Sequence, residues 1–218
     1  RVNKKNWLTF GVLQSFTISG TARKYTQPSF RWRHKLSKQW NIYVSYAPTF
    51  SYTAGRPSRF SQRIRGEIRN TQRFGNWQWR NSLNAEYHFP QRSKFSYRFF
   101  HTMQLTYRDK DWPIDVRPFV QTRLYYYLGG KPTDFEDPET EEVIVAAPNG
   151  FHGFRYIAGL RFRINKSLAM TVSYLNHREF NTSLFGGNPL NTIDASNGRL
   201  RNQFFNFQSI GIGLSIRL

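Results

Sequence analysis

Arginine recurs at two-residue intervals through much of this chain. Arg31 and Arg33 form one pair, Arg63, Arg65 and Arg69 flank Glu67, and Arg155 is followed by Arg161 and Arg163. Arg80, Arg98, Arg117, Arg123 and Arg217 stand singly in similar settings, and the acids at matching positions are few, Glu67 and Glu86. A guanidinium presents its donors in a rigid planar fork, so such a set has two chemistries open to it. It can neutralise carboxylates in an ion-pair network, or it can draw anions into a confined space. Histidine offers a third, hydrolysis by an activated nucleophile, through His34, His88, His101, His152 or His177. His101, with Asn81 and Thr122 on adjacent segments, makes a polar spot on an otherwise apolar face, but no serine accompanies it. A contact with a partner subunit, or a one-residue slip of register that would turn His101 inward, is therefore preferred to catalysis at these three residues. The acids Asp134, Glu136, Asp137, Glu139, Glu141 and Glu142 crowd one loop, but their spacing matches no calcium-binding loop. No metal and no cofactor is expected.

A period of two is the signature of a β-strand with two unlike faces. Phe154, Tyr156, Ala158, Leu160, Phe162 and Ile164 alternate with Arg155, Ile157, Gly159, Arg161 and Arg163. After a short turn, Leu168, Met170, Val172 and Tyr174 alternate with Ala169, Thr171 and Ser173. Arginine on the polar face cannot be the core of a water-soluble protein without partners. Apolar outside and charged inside is the pattern of a barrel in lipid. Ten strands can be marked, at Trp7–Ser19, Ser29–Leu36, Trp40–Tyr52, Ser61–Gln72, Trp77–Phe89, Phe95–Arg108, Val116–Leu128, Phe151–Ile164, Ser167–Phe180 and Asn202–Leu218. No segment has a helical period.

Composition is compatible with this. The 218 residues suit one domain, residues 1–218, with 1–6 as an N-terminal extension and 129–150 and 181–201 as long loops. Mean hydropathy is −0.65 and no apolar run approaches a membrane helix, but alternation cancels average hydropathy in a membrane strand. The formal charge of +19 would ordinarily point to nucleic acid, yet the arginines fall inside strand patterns rather than in a basic tail or helix. A soluble nucleic-acid-binding barrel is accordingly the weakest reading. The absence of cysteine decides little about compartment. The polar start, Arg1 to Asn6, implies numbering from after a cleaved export signal if the protein is exported.

The connections alternate between short turns and longer loops, as in outer-membrane barrels, which places both termini on the periplasmic side. Trp7, Trp32, Trp40, Trp77, Trp79 and Trp112 all map to the short-turn end, as residues of a membrane interface would. Tyr46, Tyr52, Tyr87, Tyr97, Tyr126, Tyr127, Tyr156 and Tyr174 map toward the other, as a second aromatic girdle.

Several short motifs resemble a family of uncharacterised bacterial outer-membrane β-barrels, known only as a domain of unknown function. They are Leu36-Ser37-Lys38-Gln39-Trp40 entering a Tyr-rich strand, Arg63-Ile64-Arg65-Gly66-Glu67-Ile68-Arg69, Arg117-Pro118-Phe119 leading to Leu124-Tyr125-Tyr126, and Phe162-Arg163-Ile164-Asn165-Lys166-Ser167. Together they cover most of residues 36–180. The resemblance implies a barrel and supplies no catalytic residues. The last strand resembles the C-terminal assembly signal of barrel proteins, with Leu218 where that signal usually carries an aromatic.

The expectation is thus an all-β, transmembrane, antiparallel up-and-down barrel of about ten strands in the outer membrane of a Gram-negative-type bacterium. Arg31, Arg33, Arg63, Arg65, Glu67, Arg69, Arg80, Glu86, Arg98, Arg123, Arg155, Arg161 and Arg163 line its lumen. Opposite them the last two strands offer mainly small groups, so the long side chains fill a narrow interior. The expected role is non-enzymatic, as a structural or accessory subunit of a larger outer-membrane complex, with lipids and a protein as partners and no nucleic acid. A small anion-selective pore and a lipid-modifying hydrolase are the alternatives.

Overall fold

The computed structural model describes residues 3–16, 23–53, 56–108, 115–136, 142–165, 167–181, 187–195 and 198–216. Trp112 and Arg217 lie outside them, as do 1–2, 137–141 and 182–186 of the expected extension and loops. The chain is all-β, with no helix among the described residues. Its strands are β1 (Asn6–Phe16), β2 (Arg23–Lys35), β3 (Trp40–Tyr46), β4 (Thr49–Thr53), β5 (Arg56–Phe74), β6 (Trp77–Phe89), β7 (Tyr97–Tyr107) and β8 (Val116–Leu128). They continue with β9 (Thr133–Glu136), β10 (Val143–Ala146), β11 (Gly150–Arg163), β12 (Leu168–Glu179), β13 (Thr192–Ile193), β14 (Leu200–Arg201) and β15 (Phe207–Ile216).

The main sheet runs β1-β2-β3-β5-β6-β7-β8-β11-β12-β15, and every pairing in it is antiparallel. Short turns enforce the pairing of β2 with β3, β5 with β6 and β11 with β12, whereas long segments separate β8 from β11 and β12 from β15. Gly75, at φ +53°, makes the tight Gly75-Asn76 reversal between β5 and β6. Strand β4 continues the course of β3 after Ala47-Pro48 interrupts the ladder, so the expected strand Trp40–Tyr52 is two pieces. Strands β1 and β15 stand at the two ends of the path, and no pairing joins them among the described residues.

Two expectations need correction. Strand β2 begins at Arg23 rather than Ser29, and Pro28 is inside it, opposite Val12. Pro28 falls where β2 pairs with neither β3 nor β4, so its missing N–H leaves no gap in that ladder. The long loops also carry strands of their own. Strands β9 and β10 pair as a hairpin within 129–150, and β13 pairs with β14 within 181–201. Both are too short to give a period.

The sheet is curved, because side chains from strands that are not neighbours meet on one face. Arg31 on β2 reaches Glu67 on β5, and Tyr127 on β8 reaches Glu179 on β12. The opposite, convex face carries the apolar half of every alternation, with Leu83 63% and Ile210 79% exposed. Small residues permit the closest strand approach. A Cβ on Gly159 of β11 would lie 2.5 Å from the Val172 carbonyl oxygen and 2.9 Å from the Phe119 ring, which covers this glycine from β8. Gly159→Val should therefore destabilise the sheet by about 1–3 kcal/mol through overpacking. Guanidinium unfolding followed by tryptophan fluorescence checks it, and an unchanged midpoint contradicts the packing described.

Candidate functional site on the concave face

The register of the sheet builds the charged face rung by rung. Arg65, Glu86 and Arg98 are paired across β5, β6 and β7. Arg65 Nε donates to Glu86 Oε1 at 2.6 Å, and Arg98 Nε donates to Oε2 at 2.8 Å. Arg63 Nη1 approaches Oε1 at 3.4 Å and His88 Nε2 lies 3.2 Å from Oε2, so three guanidiniums and an imidazole surround one fully buried carboxylate. Glu67 repeats the motif on a smaller scale. Arg31 Nη2 and Arg69 Nε each donate to it at 2.6 Å, and both guanidiniums lie over the Tyr43 ring, at 4.2 and 4.3 Å from its centroid. At the turn end, Arg117 Nε donates to Asp115 Oδ1 at 2.6 Å, with Arg163 Nη1 3.9 Å from Oδ2. The hydrogen bond from Arg117, reinforced by the positive charges around it, holds the Asp115 carboxyl below its ordinary pKa.

The loop end is closed by a different chemistry. Phe95, Phe100, Tyr125, Tyr127 and Leu190 form a buried apolar cluster, with Phe95 and Tyr127 rings 4.5 Å apart. Leu190 comes from the loop after β12, where the Asn181 side chain accepts from its backbone N–H. Glu179 ties that loop down. It accepts from Tyr127 Oη at 3.0 Å and from the Phe205 backbone N–H at 2.6 Å, and it pairs with Lys94 from the β6–β7 connection. Asp194, 1% exposed, pairs with Arg201 in the same loop.

All thirteen residues expected on the inner face share the concave side by register. Three carboxylates divide most of the arginines between them. Arg33, Arg80, Arg123, Arg155 and Arg161 have no carboxylate within 4.0 Å among the described residues. Arg33 donates to Asn41 Oδ1 at 2.9 Å and Arg80 to Gln104 Oε1 at 3.1 Å.

Of the tryptophans, Trp32, Trp40, Trp77 and Trp79 are on the convex side near the short turns. Trp7 differs. It is paired with Arg33, shares the concave face, and lies 4.5 Å from that guanidinium. Tyr127 differs too, being fully buried on the concave side rather than part of an outer girdle. Asn81, His101 and Thr122 do lie on the convex face, but the residue opposite both Asn81 and Thr122 is Met103. His101 is opposite Leu83 and Leu124, and it borders an apolar concavity of about 670 Å³ lined also by Gly66, Ile68, Ala85 and Phe99.

Sequence reasoning missed Asp115, Glu179, Lys94 and Leu190. Glu179 keeps the parity of His177 and could have been found by extending the β12 alternation. Leu190 and Lys94 lie outside any periodic segment and carry no such signal.

The unequal burial of the carboxylates predicts unequal effects. Glu86→Gln leaves three buried guanidiniums short of a counter-charge and should cost about 3–5 kcal/mol in unfolding free energy. Asp115→Asn removes a half-exposed pair and should cost about 1 kcal/mol or less. Because the Asp115 pKa is depressed in the folded state, its contribution is present above the ordinary carboxylate range and disappears as pH falls through the lowered value. Unfolding midpoints of the two variants at neutral and acidic pH check both statements; equal costs would contradict the ranking.

No protein-family model matches this chain, and a search of curated proteins finds no match.

Proposed function

We propose that this protein is a non-enzymatic outer-membrane β-barrel of about ten strands whose interior is closed, serving as a structural or accessory subunit of a larger outer-membrane complex. One observation carries the reading: along strand after strand, apolar side chains fill the exposed convex face while guanidiniums and carboxylates fill the concave one. In water that arrangement is inverted, but in lipid it is the one that solvates both faces. Closure of β1 on β15 belongs to the proposal. Lipid does not tolerate unpaired backbone at a sheet edge, the two strands run antiparallel, and both carry apolar residues on the convex side. Both termini then lie with the short turns, on the periplasmic side. The resemblance of residues 36–180 to uncharacterised outer-membrane barrels points the same way.

An interior taken up by its own ion pairs, and covered at the loop end by Leu190 and its aromatic neighbours, favours a barrel that works through its surfaces. Turning these arginines to the concave face also removes much of the positive charge from the outer surface that nucleic acid would meet. A small anion-selective pore is the second reading, favoured by the five arginines without a carboxylate. The lipid-hydrolase alternative rests on His101, which sits between two leucines with no nucleophile paired to it across either strand. Reconstitution of the purified protein in planar bilayers separates the first two. The closed barrel inserts without discrete conductance steps; anion-selective steps abolished by Arg80→Ser or Arg161→Ser would overturn it.

A further inference from the structure

A single rung of the sheet runs Thr102, Arg123, Arg155, His177 across β7, β8, β11 and β12. Arg123 and Arg155 are directly opposite each other on the same face. Like charges at such a pair repel, and each would ordinarily be separated by an acid. None is within 4.0 Å of either among the described residues. One edge of Arg123 is held by a neutral oxygen: with its amide oxygen turned toward it, Gln121 accepts from Nε at 2.8 Å and Nη2 at 2.9 Å. Among the described residues Arg155 lies against two rings, its guanidinium 5.5 Å from the Tyr125 centroid and 5.8 Å from that of Phe207.

Two buried nitrogens on this rung have no hydrogen-bond partner, Arg155 Nε and His177 Nδ1. Leaving such donors unsatisfied is costly, and two neighbouring residues sharing the defect is unusual for a structural network. Nearby on the same face Glu86 meets a comparable need, bridging Arg65 and Arg98, and Glu67 does so for Arg31 and Arg69.

We propose that the Arg123–Arg155 rung is a seat for an oxyanion, of the carboxylate or phosphate class, that bridges the two guanidiniums as Glu86 bridges its own. Two oxygens on one planar or tetrahedral centre match the fork of Arg155 together with the outer Nη edge that Gln121 leaves on Arg123, which a spherical halide does not. His177 Nδ1 adds a third donor when the ring is doubly protonated, since Nε2 faces the Glu179 carboxylate at 3.9 Å. The seat lies on four strands that are contiguous in the sheet, so it requires neither barrel closure nor membrane insertion. Its failure would leave the proposed function standing, and a conducting barrel could still contain it.

The test uses the full chain in non-ionic detergent, with thermal unfolding followed by tryptophan fluorescence. Inorganic phosphate, acetate and chloride are titrated separately at matched ionic strength. A saturable rise of the midpoint is expected with phosphate or with acetate, absent with chloride, and whichever arm responds identifies the class of oxyanion. Arg123→Gln and Arg155→Gln should each weaken the apparent affinity by about tenfold or more, the loss expected for a charge-assisted bond. Arg73→Gln, an exposed arginine on β5, should leave it unchanged. No saturable response in the unaltered protein overturns the proposal, even if a variant fails to fold, and so does an undiminished response in both folded variants.

Discussion

The Glu86 carboxylate, buried among Arg63, Arg65, Arg98 and His88, is the contact on which the rest of the concave face depends. Bringing three guanidiniums together away from bulk water is unfavourable without a counter-charge at hydrogen-bonding distance. Glu86 can supply it because antiparallel register puts Arg65 and Arg98 directly on either side of it. Shifting either pairing by one residue would turn the partners to the opposite face. The ion pairs and the strand register therefore specify each other, which gives a sheet with few buried apolar residues a unique alignment.

From that arrangement the two ends of the concave face take different characters. Toward the loops, aromatic rings and Leu190 replace water, and Glu179 with Lys94 anchors the covering segment. Toward the short turns the groups are arginine, glutamine and small hydroxyls, and Arg161 and Ser215 are exposed. The charge excess is concentrated between these ends. A concave face covered at one end by apolar packing and carrying, among the described residues, guanidiniums without a carboxylate is suited to holding an anion more than to passing one.

Much of this was legible in the amino-acid sequence, and the misses have specific causes. Period-two alternation grouped these arginines on one face, as the register does, because parity survives small errors in strand ends. It could not reveal that Trp7 sits over Arg33, since that depends on the β1–β2 register across a long connection. Tyr127 was misplaced by grouping tyrosines by height; its own alternation with Arg123 and Tyr125 already turned it inward. Pro28 concealed nearly half of β2, residues 23–28, because a residue without an N–H reads as a loop unless the neighbouring ladder is known to be interrupted there. Leu190 and the short hairpins of the long loops are held by tertiary contacts alone, and no local pattern announces them.

The central claim is that the convex face meets lipid and the concave face does not. The chain has no cysteine, so single cysteines can be introduced without background. Fluorescent probes at Phe154, Tyr156, Leu160, Ile157 and Gly211 of the reconstituted protein can be exposed to brominated phospholipid. Strong quenching at the first three positions and weak quenching at the last two is the predicted result. Equal quenching at all five, or none at any, would contradict the account.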